Sequence, residues 1–158
     1  MKTEKEQILA QLDEQFQQQL VEIETEIESM NVDMSNETKS SAGDKFETSR
    51  EMINQELDRL ENSLSKISRQ QRSLLEMKEI STPATIDFGS YVTTNKGNFL
   101  FGLAVGKTLT TSSPKTNKQK IICYVLSLNS PIGKAFYGST LDDQISFMGN
   151  TYIIQSIS

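Results

Sequence analysis

The first 80 residues carry apolar side chains at helical spacing in two successive stretches. In the first stretch the apolar residues are Leu9, Leu12, Phe16, Leu20, Ile23, Ile27, Met30 and Met34. The positions between them are mainly Glu and Gln. In the second stretch the apolar residues recur every seven positions, at Phe46, Ile53, Leu60, Ile67 and Leu74, with Leu57, Leu64 and Gln71 between them. Both patterns are typical of a coiled-coil seam. We predict two helices of about 30 residues each, roughly 45 Å long at the α-helical rise per residue.

A polar stretch, residues 33–47, separates the two patterns and contains Gly43. Two long helices joined by a short polar link fold back on each other as an antiparallel hairpin. We therefore predict a hairpin over residues 1–80, with residues 33–47 at its tip. The alternative is one continuous helix in a parallel dimeric coiled coil, which the run Ser-Ser-Ala-Gly at 40–43 disfavours.

From residue 81 onward the composition is that of a β-rich domain. Pro83 ends the second helix, because proline cannot continue one and restrains the residue before it. Runs of Val, Ile, Phe, Tyr and Thr predict about five strands, at 85–94, 98–105, 120–127, 144–148 and 151–157. Residues 108–120 are expected to form a loop, 149–150 a hairpin turn, and 130–138 a short helix. The predicted fold class is α + β, with residues 81–158 as a small α+β domain.

The composition excludes several kinds of chemistry. The chain has no histidine, which removes Ser-His-Asp and Cys-His nucleophiles and histidine zinc sites. Its one cysteine, Cys123, lies in an apolar run and predicts a buried, inert thiol in a reducing compartment. No apolar run approaches the length that spans a bilayer, and the residues after Met1 are charged. We expect a cytoplasmic protein without membrane contact.

The charge is divided unevenly along the chain. Residues 1–79 hold a balance of −8 and residues 80–158 a balance of +3, within a net charge of −5. An acidic arm beside a mildly basic domain indicates different partners for the two halves.

Three segments resemble the bacterial transcript cleavage factors of the Gre family, GreA and GreB. LSLNSPIGKAFYGSTLDDQISF, from residue 126, is similar to the family's NSP…G…D segment, and IDFGSYVTT, from residue 86, is similar to the strand that opens its C-terminal domain. FETSREMINQELDRLENSL, from residue 46, resembles the family's second hairpin helix. The resemblance implies an FKBP-like fold for residues 81–158 and covers nearly the whole chain.

Gre membership would imply a mechanism that the protein shares with a partner. The C-terminal domain docks on bacterial RNA polymerase, and the hairpin enters the secondary channel of that enzyme. In cleaving members, two acidic tip residues spaced D-x-x-E help hold a second Mg²⁺, and the polymerase then hydrolyses the 3′ end of backtracked RNA. The implied protein has no enzymatic activity or cofactor of its own, and contact with nascent RNA is a further expectation.

The chain departs from the family pattern at the tip. Aligned without gaps at Phe46, the family's acidic pair falls on Lys39 and Ala42. Lys39 would place positive charge near the polymerase metals, where it could meet RNA phosphates instead. The neighbouring carboxylates are tip candidates: Asp33, Glu37, Asp44 and Glu47. Of these, Asp44 and Glu47 share the D-x-x-E spacing and are the Mg²⁺ candidates, whereas solvated tip charges or helix caps are the simpler interpretation.

The corresponding Gre loop implies that Asn129, Ser130 and Pro131 contact the polymerase, and simple capping of the short helix is compatible with that role.

Three functions stay open. A Gre-like regulator either stimulates RNA cleavage or acts without it. An FKBP-like peptidyl-prolyl isomerase or chaperone is disfavoured because the chain has no tryptophan to form the floor of an aromatic-lined substrate pocket. A self-associating adaptor would be an obligate dimer, whereas a hairpin with its own seam is expected to be a monomer.

Overall fold

The computed structural model of the chain describes residues 3–37, 43–80, 83–112 and 120–158. Two long helices come first, α1 (Glu4–Glu37) and α2 (Gly43–Glu79), of 34 and 37 residues. Thr3 and Glu6 begin α1 as a capping box: the Thr3 N–H donates to Glu6 Oε2 at 2.8 Å, and the Glu6 N–H donates to Thr3 Oγ1 at 3.2 Å. None of the helices in the described residues combines the length and apolar character that crossing a bilayer requires.

The two helices pack along the predicted seam, which confirms the coiled-coil interpretation. Six seam residues are at most 8% exposed: Leu9, Leu12, Phe16, Leu60, Ile67 and Leu74. The other seam residues with described side chains are half-buried, because a pair of helices covers only one side of each: Leu20, Ile23, Ile27, Met30, Met34, Ile53, Leu57, Leu64 and Gln71. The pair is antiparallel, since Lys78 Nζ near the end of α2 lies 2.9 Å from Asp13 Oδ2 near the start of α1.

The predicted tip is more helical than the sequence indicated. α1 continues to Glu37 and α2 begins at Gly43, so most of residues 33–47 belongs to helices. Gly43 is the first residue of α2 rather than a break inside a link, a position where the lack of a side chain costs little helical stability. Only residues 38–42 separate the two helices, and they lie outside the described residues.

The chain divides into two compact units. One contains residues 14–71, the greater part of both helices. The other contains residues 1–13 and 72–158, so the first turns of α1 and the last turns of α2 belong to the same unit as the sheet. Buried side chains on these helix ends, Ile8, Leu12, Leu74 and Met77, are at most 1% exposed.

The sheet has six strands in the order β3-β4-β2-β1-β6-β5. The strands are β1 (Tyr91–Thr94), β2 (Gly97–Phe101), β3 (Gly106–Ser112), β4 (Lys120–Leu126), β5 (Gln144–Phe147) and β6 (Asn150–Ile157). Neighbours are antiparallel except β2 and β4, which run parallel. A six-residue helix, α3 (Pro131–Phe136), lies between β4 and β5 in the chain. The α + β fold class is confirmed.

Two details of the sequence prediction were wrong. The expected loop at 108–120 begins as strand β3, which pairs with β4 from Gly106 to Ser112. A Thr-rich segment forms that strand because its backbone groups find partners on β4, although it carries few apolar side chains to signal it. The β5–β6 turn is at Met148 and Gly149, one residue before the predicted position, and both have positive φ as a type I′ turn requires.

One face of the sheet holds an aromatic core. Phe99 stacks on Phe101 with ring centroids 5.8 Å apart, and both pack against Phe136 of α3. Ile86, Val92, Ile145 and Ile154 complete the buried cluster. Alternation along the strands directs Tyr91, Leu100 and Cys123 to the opposite face, where they are at most 2% exposed.

Candidate functional site

The loop before α3 is held by its own hydrogen bonds. Ser130 Oγ accepts from the Gly133 N–H at 3.1 Å and donates to the Ser127 carbonyl oxygen at 2.5 Å. The Asn129 N–H donates to Ser127 Oγ at 3.1 Å. Ser130 is therefore the N-cap of α3 and Pro131 its first residue, as the sequence predicted. The side chain of Asn129 is exposed, and the capped loop presents it in a defined position.

Gly133 allows the helix to approach this loop closely. A Cβ atom at Gly133 would lie 2.3 Å from the Ser127 carbonyl oxygen and 2.8 Å from Leu128 Cα, both of them backbone atoms that cannot rotate away. Residues 127–128 thus pass directly over the first turn of α3. The loop and the helix form one rigid element.

The end of α3 is attached to the segment that leads into β1. The Gly138 N–H donates to the Ile86 carbonyl oxygen at 2.8 Å, and the Ile86 N–H donates to the Ser139 carbonyl oxygen at 2.9 Å. Ile86 is fully buried in the core, so this attachment is fixed on both sides. It brings Asp87, which follows Ile86, to the side of α3.

A cleft of about 410 Å³ lies beside the loop. It is lined by Asp87, Leu128, Asn129, Lys134 and Tyr137. Of the three predicted docking residues, Asn129 lines the cleft and Ser130 shapes it. Pro131 begins the helix beside it and is exposed.

Sequence reasoning missed four of the lining residues, which are Asp87, Leu128, Lys134 and Tyr137. Lys134 and Tyr137 are three positions apart, a spacing that places both on one side of a helix and could have indicated them. Asp87 carried no such signal, because only the hydrogen bonds between Ile86 and residues 138–139 bring it to the cleft.

The charged groups of the cleft are not paired with each other. Asp87 Oδ1 accepts from the Phe88 N–H at 2.7 Å. Among the described side chains the only ion pairs are Arg59 with Glu56 and Lys78 with Asp13. The cleft therefore presents a carboxylate, an ammonium group and a tyrosine ring that is 59% exposed.

The tip candidates lie on the two helix ends that face residues 38–42. Asp33 and Glu37 are four positions apart on α1, and Asp44 and Glu47 are three positions apart in the first turn of α2, so each pair shares a helix face. Asp33 and Glu47 are exposed, whereas the side chains of Glu37 and Asp44 are outside the described set. Lys39 lies outside the described residues altogether. Within those residues, no three acidic, cysteine or histidine side chains gather as a metal site.

The macrodipoles of the two helices have opposite effects on the acidic pair at the end of α1 and the acidic pair at the start of α2. Negative charge is favourable at the first turn of α2 and unfavourable at the last turn of α1, where no basic residue compensates.

The buried aromatic rings and the thiol among the described side chains of the sheet belong to its core. The aromatic rings of Phe99, Phe101 and Phe136 are at most 3% exposed, so they form the core rather than line a pocket. Burial raises the pKa of the Cys123 thiol to about 12, with a smaller contribution from Glu4, so this residue is a neutral thiol at physiological pH. This confirms the inert cysteine that the sequence indicated.

Comparison of the chain with protein-family models, with curated proteins and with solved structures finds no match. The relation to the Gre factors therefore stays a prediction from the three sequence segments that carry it.

Proposed function

We propose that this protein is a regulator of transcription elongation that binds bacterial RNA polymerase and inserts its helical hairpin into the secondary channel. The observation that carries the proposal is the antiparallel pair α1 and α2, joined by only five residues, with acidic residues on both facing ends. The 34 residues of α1 give it a length of about 50 Å. Two helices alone, with charged outer faces, make a thin element suited to an aqueous channel.

The docking surface in this proposal is the loop with Asn129, Ser130 and Pro131. Its hydrogen bonds exist before any partner arrives, so binding does not have to order the backbone there. The same segment carries the most specific part of the sequence resemblance.

The residues at the tip would act on the polymerase active site without chemistry of their own. Asp44 and Glu47 share one face of the first turn of α2, and Mg²⁺ takes one or two carboxylates from a protein while keeping several waters. This donor set fits a magnesium ion shared with the polymerase, which would supply a polarised water for RNA hydrolysis. In the non-cleaving form, Lys39 would contact the phosphates of RNA, and the tip would modulate the polymerase by occupying the channel.

Binding to core enzyme is the first test. The tagged full-length chain should retain bacterial core RNA polymerase, and Ser130→Ala should weaken retention because the loop loses its cap. Ser146→Ala, an exposed serine on β5, is the control and should bind as the parent chain does. A parent chain that does not bind core polymerase at all would refute the proposal.

The second test separates the cleaving from the non-cleaving form. Stalled, backtracked complexes with labelled RNA should be shortened by the parent chain if it delivers Mg²⁺, and the double variant Asp44→Asn/Glu47→Gln should lose that activity. Asp58→Asn/Glu61→Gln is a matched control, because these exposed residues have the same D-x-x-E spacing in the middle of α2. Binding without shortening assigns the non-cleaving form. Equal loss in both double variants would contradict a special role for the tip pair.

The partner in this proposal is the polymerase and not a second copy of the chain. The helix seam is filled within one chain by Phe16, Leu60 and Ile67. Light scattering should therefore find a monomer. An obligate dimer would favour the adaptor function instead.

A further inference from the structure

We propose that the cleft beside the docking loop binds an arginine side chain of the partner protein, one that has an acidic residue next to it in the partner's sequence. This cleft is lined by Asp87, Leu128, Asn129, Lys134 and Tyr137. The inference rests on the proposed function for the identity of the partner. It adds the chemistry by which that partner would be recognised.

Asp87 supplies the acceptor for the guanidinium group. Its Oδ1 takes a single hydrogen bond from the Phe88 N–H, and a carboxylate has about four lone-pair sites in all. Arginine binds a carboxylate through two parallel N–H donors, whereas lysine is a point charge. The exposed amide of Asn129 offers a second oxygen in the same cleft.

Tyr137 supplies an aromatic surface for the same group. The residue is the C-cap of α3 and is 59% exposed although it lies beside a cavity. A planar guanidinium stacks on an aromatic ring by cation–π attraction. Leu128, half-buried on the cleft wall, can cover the methylene part of the arginine. An exposed tyrosine next to a carboxylate thus suits arginine better than lysine.

Lys134 determines what must accompany the arginine. Its ammonium group lines the cleft and makes no ion pair with the described side chains. An isolated cation would be repelled by it, at a cost that a neighbouring carboxylate of the partner removes. The cleft therefore fits a segment in which arginine and an acidic residue are adjacent.

The cleft is formed before binding. Ser130 caps α3, residues 127–128 pass over Gly133, and Gly138 bonds to the Ile86 carbonyl oxygen. Because these contacts hold the walls, little ordering cost accompanies binding. This allows a small peptide to serve as a probe of the site.

The test is an NMR titration of the full chain with the blocked dipeptide acetyl-Arg-Glu-amide. We expect saturable shifts at the backbone amides of Asp87, Asn129, Lys134 and Tyr137, and binding about tenfold weaker for acetyl-Lys-Glu-amide. Asp87→Asn and Tyr137→Ala should each weaken binding by about tenfold. Asp142→Asn, an exposed carboxylate in the same unit, is the control and should bind as the parent chain does. Thermal unfolding of each variant verifies that it is folded.

The outcomes separate this inference from the proposed function. Shifts that do not saturate, or equal binding by the parent chain and Asp87→Asn, overturn the arginine site. A second assay measures the binding of the same variants to core polymerase. If the chain binds the dipeptide in the cleft but does not bind core polymerase, the arginine site is supported and only the proposed partner is refuted. Polymerase binding that is the same for the parent chain, Asp87→Asn and Tyr137→Ala overturns the role of the cleft and leaves the proposed function standing.

Discussion

The Tyr91 hydroxyl group donates a hydrogen bond to Glu4 Oε2 at 3.1 Å, joining the first strand of the sheet to the first turn of α1. The Tyr91 hydroxyl oxygen in turn accepts a hydrogen bond from Asn98 Nδ2 at 2.9 Å. Tyr91 is 2% exposed and Asn98 is 8% exposed, so neither can exchange its partner for bulk water. This chain of three polar groups attaches the start of α1 to the sheet.

Tyr91→Phe should destabilise the protein by about 1–3 kcal/mol, because the buried Asn98 amide and the Glu4 carboxylate each lose a partner. Urea unfolding followed by circular dichroism measures the change. Tyr137→Phe removes the same atom from an exposed ring and should change the free energy of unfolding by less than about 0.5 kcal/mol. Equal effects of the two substitutions would show that the buried hydrogen bonds contribute nothing.

Cys123 makes stability sensitive to alkali. Burial raises its pKa to about 12 from the ordinary 9.0, so between these values the unfolded chain loses a proton that the folded chain keeps. This contribution is complete below about pH 9 and declines as pH rises toward 12, at up to about 1.4 kcal/mol per pH unit. Burial also raises the pKa of Tyr91, which acts in the same direction above pH 10.

Urea unfolding of the reduced protein between about pH 8 and pH 12 tests this linkage. Cys123→Ala should unfold more easily below about pH 9, where the thiol is protonated in both states, and show a shallower decline of the free energy of unfolding above that pH. The comparison depends on the slopes, so the cavity left by the substitution does not affect it. Parallel slopes for the two proteins would refute the raised thiol pKa.

Gly133→Ala should destabilise the protein although alanine is the better helix former. The helical preference favours alanine by about 0.5–1 kcal/mol, but the new Cβ would meet the Ser127 carbonyl oxygen at 2.3 Å. Overpacking of this kind costs about 1–3 kcal/mol, and here only backbone movement relieves it. We expect a net loss in thermal unfolding and a displaced docking loop. A higher melting temperature would mean that residues 127–128 shift without cost.

Leu60→Ala should destabilise the helical hairpin by about 2–5 kcal/mol, because Leu60 is 2% exposed in the seam. Leu75 is also on α2 but is 59% exposed, and Leu75→Ala should change the free energy of unfolding by less than about 0.5 kcal/mol. Both substitutions improve the intrinsic helix propensity slightly, so the difference reports on packing. Circular dichroism at the helical minimum during urea unfolding distinguishes them. Equal changes would argue against a seam at Leu60.

The two long helices and strands β4, β5 and β6 could be predicted close to their ends, whereas strand β3 could not. The spacing from Leu9 to Met34 repeats over many turns, and every described seam residue is buried or half-buried. Strand β3 escaped prediction because residues 106–112 are rich in Thr and carry few apolar side chains, and their pairing with β4 depends on backbone groups. The tip is shorter than predicted, because α1 continues to Glu37 although Asp33, Ser35 and Asn36 are weak helix formers.

The sequence by itself determined the helical pair, the capped helix α3, the buried thiol and the absence of histidine chemistry, because each depends on residues close together in the chain. The tertiary structure alone decided the sixth strand, the hydrogen bond between Tyr91 and Glu4, and the cleft that unites Asp87 with Lys134 and Tyr137. These features join segments that are distant in sequence, and no local pattern encodes which backbone or side-chain group a distant segment will meet. Periodicity reports which face of an element is apolar, but only folding selects what that face contacts.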